Sequence, residues 1–522
     1  MVQRPRRQRV RPARGTDSRS HITSPGVHHS PVARRWLVVL ALATTVVGAA
    51  VLRFWDLGGN PGGLFTDEAA EALSAHRILT EPGFHPVFFT DGGGREALFA
   101  YLVAAVFRFA GETTLALRAT AAGIGVAAVL AIWLLGRRFS EGAGLVAAAW
   151  VAGSLWLICI SRDGMRNVLV PLLGALAMVA LLAWADRPTR LRASLVGGVS
   201  SLAALYTYQP LKLLPVLVVL WLVWLRRADR DRYLRLHREI AWFVAAFAVV
   251  AAPMLVVAVT HPSTYFGRAL GVTPFAPGEG GLSLVEHWLR TLGMFALTGD
   301  PNPRHDVAAL PLLGWPVFVL AVVGVARLWG DRWTPAASLV LLSLPLFLLP
   351  PLIATEGGSP HFLRSLGLAA PLAVTIGLGM VEVVRAIRDR LGGLAQSAAV
   401  AVAAGGLLAL AVGSGAAYLT RPVADRYDAY RFDLVAIAHA AGPADAVIVD
   451  DYSATVIRFL DASQPPSVIA PGSTAPHATR FRRVLALSPG DLTRALGAEI
   501  EPRISVVDSR PDGRPSVYAA SP

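Results

Sequence analysis

Long apolar stretches recur along most of the chain, separated by short polar segments. Many of them run for roughly 17–25 residues, the length of a helix that crosses a bilayer. The pattern predicts a polytopic α-helical membrane protein with about eleven transmembrane helices. The predicted spans are 36–52, 117–136, 142–159, 167–185, 194–208, 210–226, 239–259, 309–328, 334–353, 362–383 and 394–418.

The first apolar stretch, residues 36–52, has two interpretations. A basic region precedes it and small residues end it, as in a signal peptide. We interpret it as a transmembrane anchor because ten more spans follow. Residues 1–35 are rich in Arg, Pro, Ser and His with almost no apolar content, which predicts a disordered cytoplasmic tail.

The placement of arginine predicts the orientation in the membrane, since cytoplasmic loops carry an excess of basic residues. Five connections between the predicted spans are arginine-rich and are predicted to be cytoplasmic, at 137–138, 187–192, 226–238, 327–332 and 385–390. The N-terminus is then cytoplasmic, and the predicted outer loops are 53–116, 160–166, 209, 260–308 and 354–361.

The segment 96–109 is apolar but carries Arg108, and counting it as a span would invert this charge pattern. We therefore interpret it as a juxtamembrane or partly inserted helix on the outer face.

The chain changes character after the last span. Residues 420–522 mix charged residues with short strand-like runs at 446–449 and 504–507, and a helical stretch at 433–441. This predicts a small α/β extracytoplasmic domain that follows a transmembrane domain at 36–419, whose first outer loop, 53–116, is long. No GxGxxG motif follows the strand-like runs, so nothing indicates nucleotide binding.

Composition agrees with the membrane class. The chain is 54% hydrophobic and 16% charged, and its mean hydropathy is +0.52. The net charge of +13 would suggest nucleic acid in a soluble protein, but here it reflects basic loops that meet anionic lipid, so no nucleic-acid partner is predicted. The single cysteine, Cys159, lies in an apolar stretch, which excludes a disulfide and a cysteine-built metal site within the chain.

An acidic pair, Asp67 and Glu68, follows a Gly/Pro run in the first outer loop, and Thr66 before it is a good N-cap. Acidic residues suit the first turn of a helix because they face the positive end of its dipole, so the pair could be helix-start residues only. We interpret both as candidate catalytic residues because other polar residues that packing does not explain lie on the same predicted side. These are Arg95, Glu96, Arg162, Asp163, Arg166, Tyr208, Lys212, His361 and Arg364.

Carboxylates, cations and aromatic residues together at the outer interface predict a functional site, because ionisable residues near a membrane are costly. Cations suit a phosphate, and a carboxylate suits a hydroxyl that must lose a proton. For Lys212, the only lysine, and for Arg364 a second interpretation is open, in which the long side chain only extends to the membrane interface. No cofactor is predicted to be required, although a divalent metal is compatible with oxygen and imidazole groups at Asp67, Glu68, His85 and His361.

An ordered set of short motifs resembles the GT-C membrane glycosyltransferases, in particular the family 39-like group of protein O-mannosyltransferases and aminoarabinose transferases of lipid A. The resemblance covers roughly residues 36–385. The motifs are FTDE at 65–68, Arg95 with the apolar run to Tyr101, Leu117-Arg118, GRR at 136–138, Ser161-Arg162, and the HFLR run at 361–364 followed by Pro371.

The resemblance implies transfer of a sugar, with inversion, from a polyprenyl-phosphate donor on the outer face of the membrane. Asp67 matches the family's acidic residue that acts on the acceptor, and Glu68 matches its neighbour. Two positions depart from the family: Arg95-Glu96-Ala97 stands where Lys or His followed by prolines is common, and Asn167 stands where a second carboxylate usually falls. Asp163 lies one residue after Arg162 instead.

Two other classes remain open at this stage: a polytopic transporter, and a ligase or assembly protein for lipid-linked glycans. A transporter is disfavoured because the hydropathy shows no two-fold repeat and no paired broken helices. The sugar and the acceptor, which is a glycan, a lipid or a protein, are not determined by the sequence.

Overall fold

The computed structural model describes residues 31–91, 93–271, 284–461, 464–473 and 480–522. The predicted tail therefore lies outside the described residues as far as residue 30, and the first helix begins at Pro31 rather than after residue 35. The helices up to residue 419 are α1 (Pro31–Phe54), α2 (Thr66–Thr80), α3 (Leu98–Ala110), α4 (Thr114–Gly136), α5 (Glu141–Gly153), α6 (Leu155–Arg162), α7 (Leu169–Asp186), α8 (Arg190–Leu205), α9 (Leu214–Ala228), α10 (Arg230–His237), α11 (Ile240–Thr260), α12 (Pro262–Gly271), α13 (Leu284–Gly293), α14 (Gly314–Gly330), α15 (Pro335–Ile353), α16 (Ala369–Leu391) and α17 (Gly393–Leu419).

Every predicted span coincides with a helix. Seven helices in the described part of the chain are long and apolar enough to cross a membrane, and α5 with α6, bent by 58° at Ser154, makes an eighth if the pair is one span. The predicted spans 194–208, 210–226 and 309–328 correspond to the shorter helices α8, α9 and α14. The structure is thus a polytopic helical membrane protein, as the hydrophobic pattern predicts.

Helices α14 and α16 pack closely because glycines lie where each helix meets the backbone of the other. A Cβ placed on Gly324 of α14 would lie 1.8 Å from the carbonyl oxygen of Thr375 in α16. A Cβ on Gly379 of α16 would lie 1.9 Å from the carbonyl oxygen of Leu320. Small residues let helix backbones approach within a membrane, where apolar burial gives no net drive for association.

The segment predicted as the first outer loop, which follows α1, folds into α2, a short hairpin and α3. The hairpin strands β1 (Phe88–Phe89) and β2 (Arg95–Glu96) are antiparallel. Helix α3 has 13 residues and packs between α2 and α4. At about 1.5 Å per residue it is roughly 20 Å long, too short to cross about 30 Å of hydrocarbon unaided.

Residues after α17 form a mixed sheet with strand order β4-β3-β5-β7-β6, in which β3 is parallel to both neighbours and β7 is antiparallel to both. The elements are α18 (Val423–Arg426), α19 (Phe432–Ala440), β3 (Ala446–Ile448), α20 (Asp451–Leu460), β4 (Ser467–Ile469), β5 (Val484–Ala486), α21 (Pro489–Leu496), β6 (Ser505–Ser509) and β7 (Pro515–Ala520). The predicted small α/β unit is therefore present.

This C-terminal unit is seated on the first outer loop. The Leu64 amide donates to the Tyr430 carbonyl at 2.7 Å, and the Arg426 side chain donates to the Gly59 carbonyl at 3.2 Å. Helix α20 packs against α2, the helix that begins with the acidic pair. The unit thus lies beside the candidate catalytic residues.

Candidate active site

A cavity of about 510 Å³ opens where α2 meets the loops that precede α7, α9 and α16. Its wall includes Asp67 and Lys212, which the sequence places 145 positions apart. The other charged, aromatic and imidazole residues of its lining that bear on chemistry are Arg166, Tyr208, Arg304, His305, Glu356, His361 and Arg364. One chamber therefore combines a carboxylate with several cations.

Asp67 lies in the first turn of α2 with its side chain partly exposed to the cavity. Its Oδ1 accepts a hydrogen bond of 2.8 Å from the Tyr452 hydroxyl, which comes from α20 of the C-terminal unit. A partly solvated carboxylate that already accepts from one hydroxyl has the geometry to accept from another.

Glu68, the other candidate catalytic residue, does not line the cavity. Successive helical residues point about 100° apart, so when Asp67 faces the cavity Glu68 faces the bundle. The Glu68 side chain is fully buried, and its two oxygens each accept from the Arg118 guanidinium at 2.9 Å. The Gly164 amide also donates to it at 2.8 Å. Glu68 thus connects α2 to α4 and to the turn before α7.

A chain of alternating charges forms the wall beside Asp67. Arg166 lies 3.0 Å from Glu71 and 3.1 Å from Glu96, and Lys212 lies 3.2 Å from Glu96. Burial raises the pKa of Glu71, and the adjacent Arg166 opposes that shift. Because both carboxylates lie behind the two cations, Arg166 and Lys212 are presented to the cavity.

Aromatic rings flank these cations. The Arg166 guanidinium carbon lies 5.6 Å from the centre of the Tyr208 ring, and the Lys212 ammonium lies 4.9 Å from the centre of the Tyr265 ring. Rings at these distances attract a cation and limit its rotamers.

The facing wall carries two further arginines. The Arg304 guanidinium lies 3.4 Å from the centre of the Phe65 ring, next to the acidic pair. Arg364 donates to the Ala354 carbonyl at 2.7 Å and lies 3.6 Å from Glu356. The lining also includes apolar side chains, at Leu213, Leu349, Pro350, Ile353 and Leu363. The cavity thus combines cationic and apolar surface.

Two histidines complete this wall. His305 Nδ1 lies 2.9 Å from Asp300, and the ring of His361 lies 5.1 Å from that of His305. Burial lowers the pKa of both imidazoles, that of His361 to about 3. Of the residues named from the sequence as compatible with a metal, only His361 lies close to Asp300 and His305. His85 is exposed and does not line the cavity.

Besides Glu68, four residues predicted to bind substrate do not reach the cavity lining. Arg95 donates to Asp91 and Ser74 within the first outer loop, and Glu96 lies behind the two cations it pairs with. Arg162 donates to the backbone carbonyls of Leu52, Trp55 and Asn60, which fixes the end of α1 and the loop after it. Asp163 accepts from the Tyr430 hydroxyl at 2.8 Å, and burial together with Glu68 raises its pKa. All four are predicted binding residues for which the structure shows contacts within the protein instead.

Sequence reasoning missed several residues that build the site. Glu71 had a signal, because it follows Glu68 by three positions and so shares a face of α2. Arg304 and His305 lie in a long loop without a regular pattern, and Tyr452 belongs to another part of the chain, so only the tertiary structure shows their proximity.

Comparison with solved structures defines the fold. The chain aligns with ArnT from Cupriavidus metallidurans bound to undecaprenyl phosphate at a TM-score of 0.59 and 13% identity, over 94% of this chain and 100% of that one. It also aligns with the archaeal oligosaccharyltransferase AglB from Archaeoglobus fulgidus in complex with an inhibitory peptide and a dolichol-phosphate. The TM-score is 0.52 and the identity 14%, over 87% of this chain and 69% of that one. An oligosaccharyltransferase from Archaeoglobus fulgidus in complex with Zn and sulfate aligns at a TM-score of 0.52 and 14% identity, over 92% of this chain and 73% of that one.

Searches with family models and with curated protein sequences give no match to this chain. The structural alignments run over most of its length, and their low identity shows the fold alone. The protein is a multi-pass membrane protein with the GT-C fold, the fold of the GT-C superfamily of membrane glycosyltransferases.

Proposed function

We propose that this protein is an inverting glycosyltransferase that moves a sugar from a polyprenyl-phosphate donor to an acceptor hydroxyl at the outer face of the membrane. The observation that carries the proposal is the single cavity lined by Asp67 and by Lys212, Arg166 and Arg364. A proton acceptor and a set of cations in one chamber suit a reaction that takes a proton from a nucleophile and releases a phosphate.

The lipid-linked donor would contact both the cationic and the apolar residues of the cavity lining. Lys212, Arg166, Arg304 and Arg364 would bind the phosphate, and the apolar lining around Leu349 and Ile353 would hold the first part of the prenyl chain. The solved structure of ArnT, which shares the fold, contains undecaprenyl phosphate, a ligand of this chemistry.

The reaction would be a single displacement at the anomeric carbon. The acceptor oxygen forms a bond to that carbon while the bond to the phosphate oxygen breaks, which inverts its configuration. The acceptor proton passes to Asp67, and polyprenyl phosphate leaves with the electron pair, stabilised by the cations. Help from a general base is worth roughly 10²–10⁴ in rate.

Glu68 has a positioning role in this proposal. Its buried pair with Arg118 fixes the first turn of α2 and thereby the direction in which Asp67 points. Tyr452 would orient the Asp67 carboxylate and mark the side from which the acceptor hydroxyl arrives, because its own hydroxyl already lies 2.8 Å from Oδ1.

The proposal includes a membrane topology. The N-terminal tail, residues 1–35, is cytoplasmic, the transmembrane domain at 36–419 forms the cavity, and the domain at 420–522 is extracytoplasmic. Its support is the contact of the C-terminal unit with the loop after α1, through Tyr430 with Leu64 and Arg426 with Gly59.

The direct test uses purified protein in lipid nanodiscs with a panel of radiolabelled polyprenyl-phosphate sugars and a panel of lipid, glycan and peptide acceptors. The proposal predicts donor consumption and a product whose anomeric configuration is opposite to that of the donor. Accumulation of an intact lipid-linked sugar or a soluble sugar inside proteoliposomes, without a new glycosidic bond, would instead indicate a transporter. Joining of preformed lipid-linked glycans would indicate a ligase.

A further inference from the structure

A second cavity, of about 300 Å³, lies at the end of the bundle opposite the candidate active site. Helix α7 connects the two cavities, because Arg166 just before its start lines the first and Asp186, its last residue, lines the second. Helix α15 runs the other way, since its first residue, Pro335, lines the second cavity and its last, Ile353, lines the first. At about 1.5 Å per residue both helices are roughly 27–29 Å long, so the cavities lie near opposite membrane surfaces.

Arginines outnumber carboxylates in the described lining of this second cavity, by four to three. The four are Arg138, Arg232, Arg327 and Arg385. They come from the turn after α4 and from α10, α14 and α16, so the fold brings together charges that are distant in the sequence. All four side chains remain between 28% and 53% exposed, which leaves them within reach of a ligand at the membrane surface.

The nearby carboxylates do not use all the donors that these arginines offer, because each guanidinium carries five N–H groups. One carboxylate oxygen, Glu382 Oε1, is shared, since it accepts from Arg327 at 3.0 Å and from Arg385 at 2.6 Å. Arg232 lies 3.1 Å from Asp229, yet its Nε is buried without a hydrogen-bond partner among the described residues. A buried donor without a partner is costly, so the cavity suits an anion with several oxygens.

Tryptophans mark this end of the bundle as a membrane interface. Trp329 and Trp333, at the connection between α14 and α15, are 59% and 52% exposed. The Arg332 guanidinium carbon lies 5.3 Å from the centre of each ring. Tryptophan is enriched at the level of the lipid head groups because its ring is amphipathic. The cavity includes Asp331 and Thr334 from the same connection and therefore lies at that level.

We propose that the second cavity binds the phosphate head group of an anionic glycerophospholipid, in the leaflet opposite the candidate active site. The phosphate oxygens accept hydrogen bonds from Arg138, Arg232 and Arg385, since guanidinium groups match phosphate geometry. Basic pockets between membrane helices on the cytoplasmic side bind such head groups, and the proposed topology makes this end cytoplasmic. The site does not depend on the proposed sugar transfer.

The competing interpretation is a diffuse attraction between basic loops and anionic lipid. Arg230 separates the two, because it lies on α10 two positions before Arg232 but is exposed and does not line the cavity. A site built from particular donors requires Arg232 and not Arg230. A diffuse attraction depends on both equally.

The test titrates phosphatidylglycerol into the full-length protein in detergent micelles and counts bound lipids by native mass spectrometry, with phosphatidylcholine as the reference lipid. We expect one phosphatidylglycerol per chain to bind in preference to phosphatidylcholine. Arg232→Gln and Arg385→Gln should each weaken its binding by at least about tenfold, as the loss of a charge-assisted contact predicts. The matched control Arg230→Gln should bind as the wild type does, and so should Lys212→Met, which changes the first cavity only.

Equal effects of Arg230→Gln and Arg232→Gln, or no preference over phosphatidylcholine, would overturn the proposal. Displacement of the lipid by millimolar inorganic phosphate would assign the cavity to a soluble anion, and tighter binding of undecaprenyl phosphate at the same arginines would assign it to a prenyl lipid; either result rejects the glycerophospholipid. If Arg232→Gln does not fold, as judged by size-exclusion chromatography, the more exposed Arg385 still provides the test. Selective lipid binding with a negative transfer assay would retain this site and reject the proposed reaction.

Discussion

Replacing Glu68 by glutamine separates a structural role from a catalytic one. Glu68 is fully buried, and both of its oxygens accept hydrogen bonds of 2.9 Å from Arg118. Glutamine has nearly the same shape, but it removes the negative charge and turns one acceptor into an NH₂ group that faces a donor. The buried Arg118 charge would then lose its paired carboxylate and keep only its hydrogen bonds to the Gly62 and Gly63 carbonyls.

The magnitude follows from the burial of both partners. Removing one partner of a buried ion pair costs about 3–5 kcal/mol, since the remaining charge loses its counterion without regaining water. We therefore expect Glu68→Gln to lower the free energy of unfolding by about that amount. The matched control is Glu81→Gln at the end of the same helix, where the exposed pair with Arg77 is worth about 0–1 kcal/mol.

The assay is unfolding by SDS in mixed micelles, followed by tryptophan fluorescence, for wild type, both single variants and Glu68→Gln/Arg118→Gln. The cost in the double variant should fall short of the sum of the two single costs by about 1–3 kcal/mol, because the two side chains are in contact. A Glu68→Gln protein within about 1 kcal/mol of wild type would refute the reasoning. Normal stability with loss of transfer would give Glu68 a direct catalytic role instead.

Two further predictions concern the cavity. Lys212→Met should weaken binding of polyprenyl phosphate by about tenfold or more, as expected when a charge-assisted contact worth about 1.5–3 kcal/mol is lost. Arg108→Met, which changes an exposed side chain at the end of α3, should not weaken it, and equal effects of the two substitutions in a binding titration would contradict the placement of Lys212. Tyr452→Phe should alter transfer by only a few-fold, because a partly exposed hydrogen bond contributes about 0.5–1.5 kcal/mol, and the change should appear in the acceptor KM rather than in donor binding. A change confined to the donor KM would contradict the proposal that Tyr452 lies on the side of the cavity from which the acceptor arrives.

The hydrophobic pattern was sufficient to predict the helices. Each predicted span is helical, because runs of apolar residues satisfy their backbone hydrogen bonds in a bilayer only as helices. The length of the helices was less predictable, since α8, α9 and α14 are shorter than a regular span. The bend between α5 and α6 at Gly153-Ser154 was not predicted either, because hydropathy does not reveal it. Of the five described strands of the C-terminal sheet, the sequence located β3 and β6, whereas β4, β5, β7 and the order of the strands were not predicted.

The site was predictable only in part. Asp67 and Lys212 line one cavity because the segments that carry these two residues lie at the same end of the bundle. Adjacent positions on a helix face different directions, so grouping Glu68 with Asp67 overlooked the buried pair with Arg118. Tyr452 is 385 positions from Asp67, and no local pattern connects the two.

The most direct test of the account is the turnover of Asp67→Asn with a polyprenyl-phosphate sugar that the wild type consumes. Asparagine keeps the shape of the side chain but cannot accept the acceptor's proton. The matched control is Asp451→Asn, an exposed carboxylate on the facing helix α20. The account predicts a fall in kcat of at least about 100-fold with donor affinity retained and the control unaffected. Turnover by Asp67→Asn close to that of the wild type would contradict it.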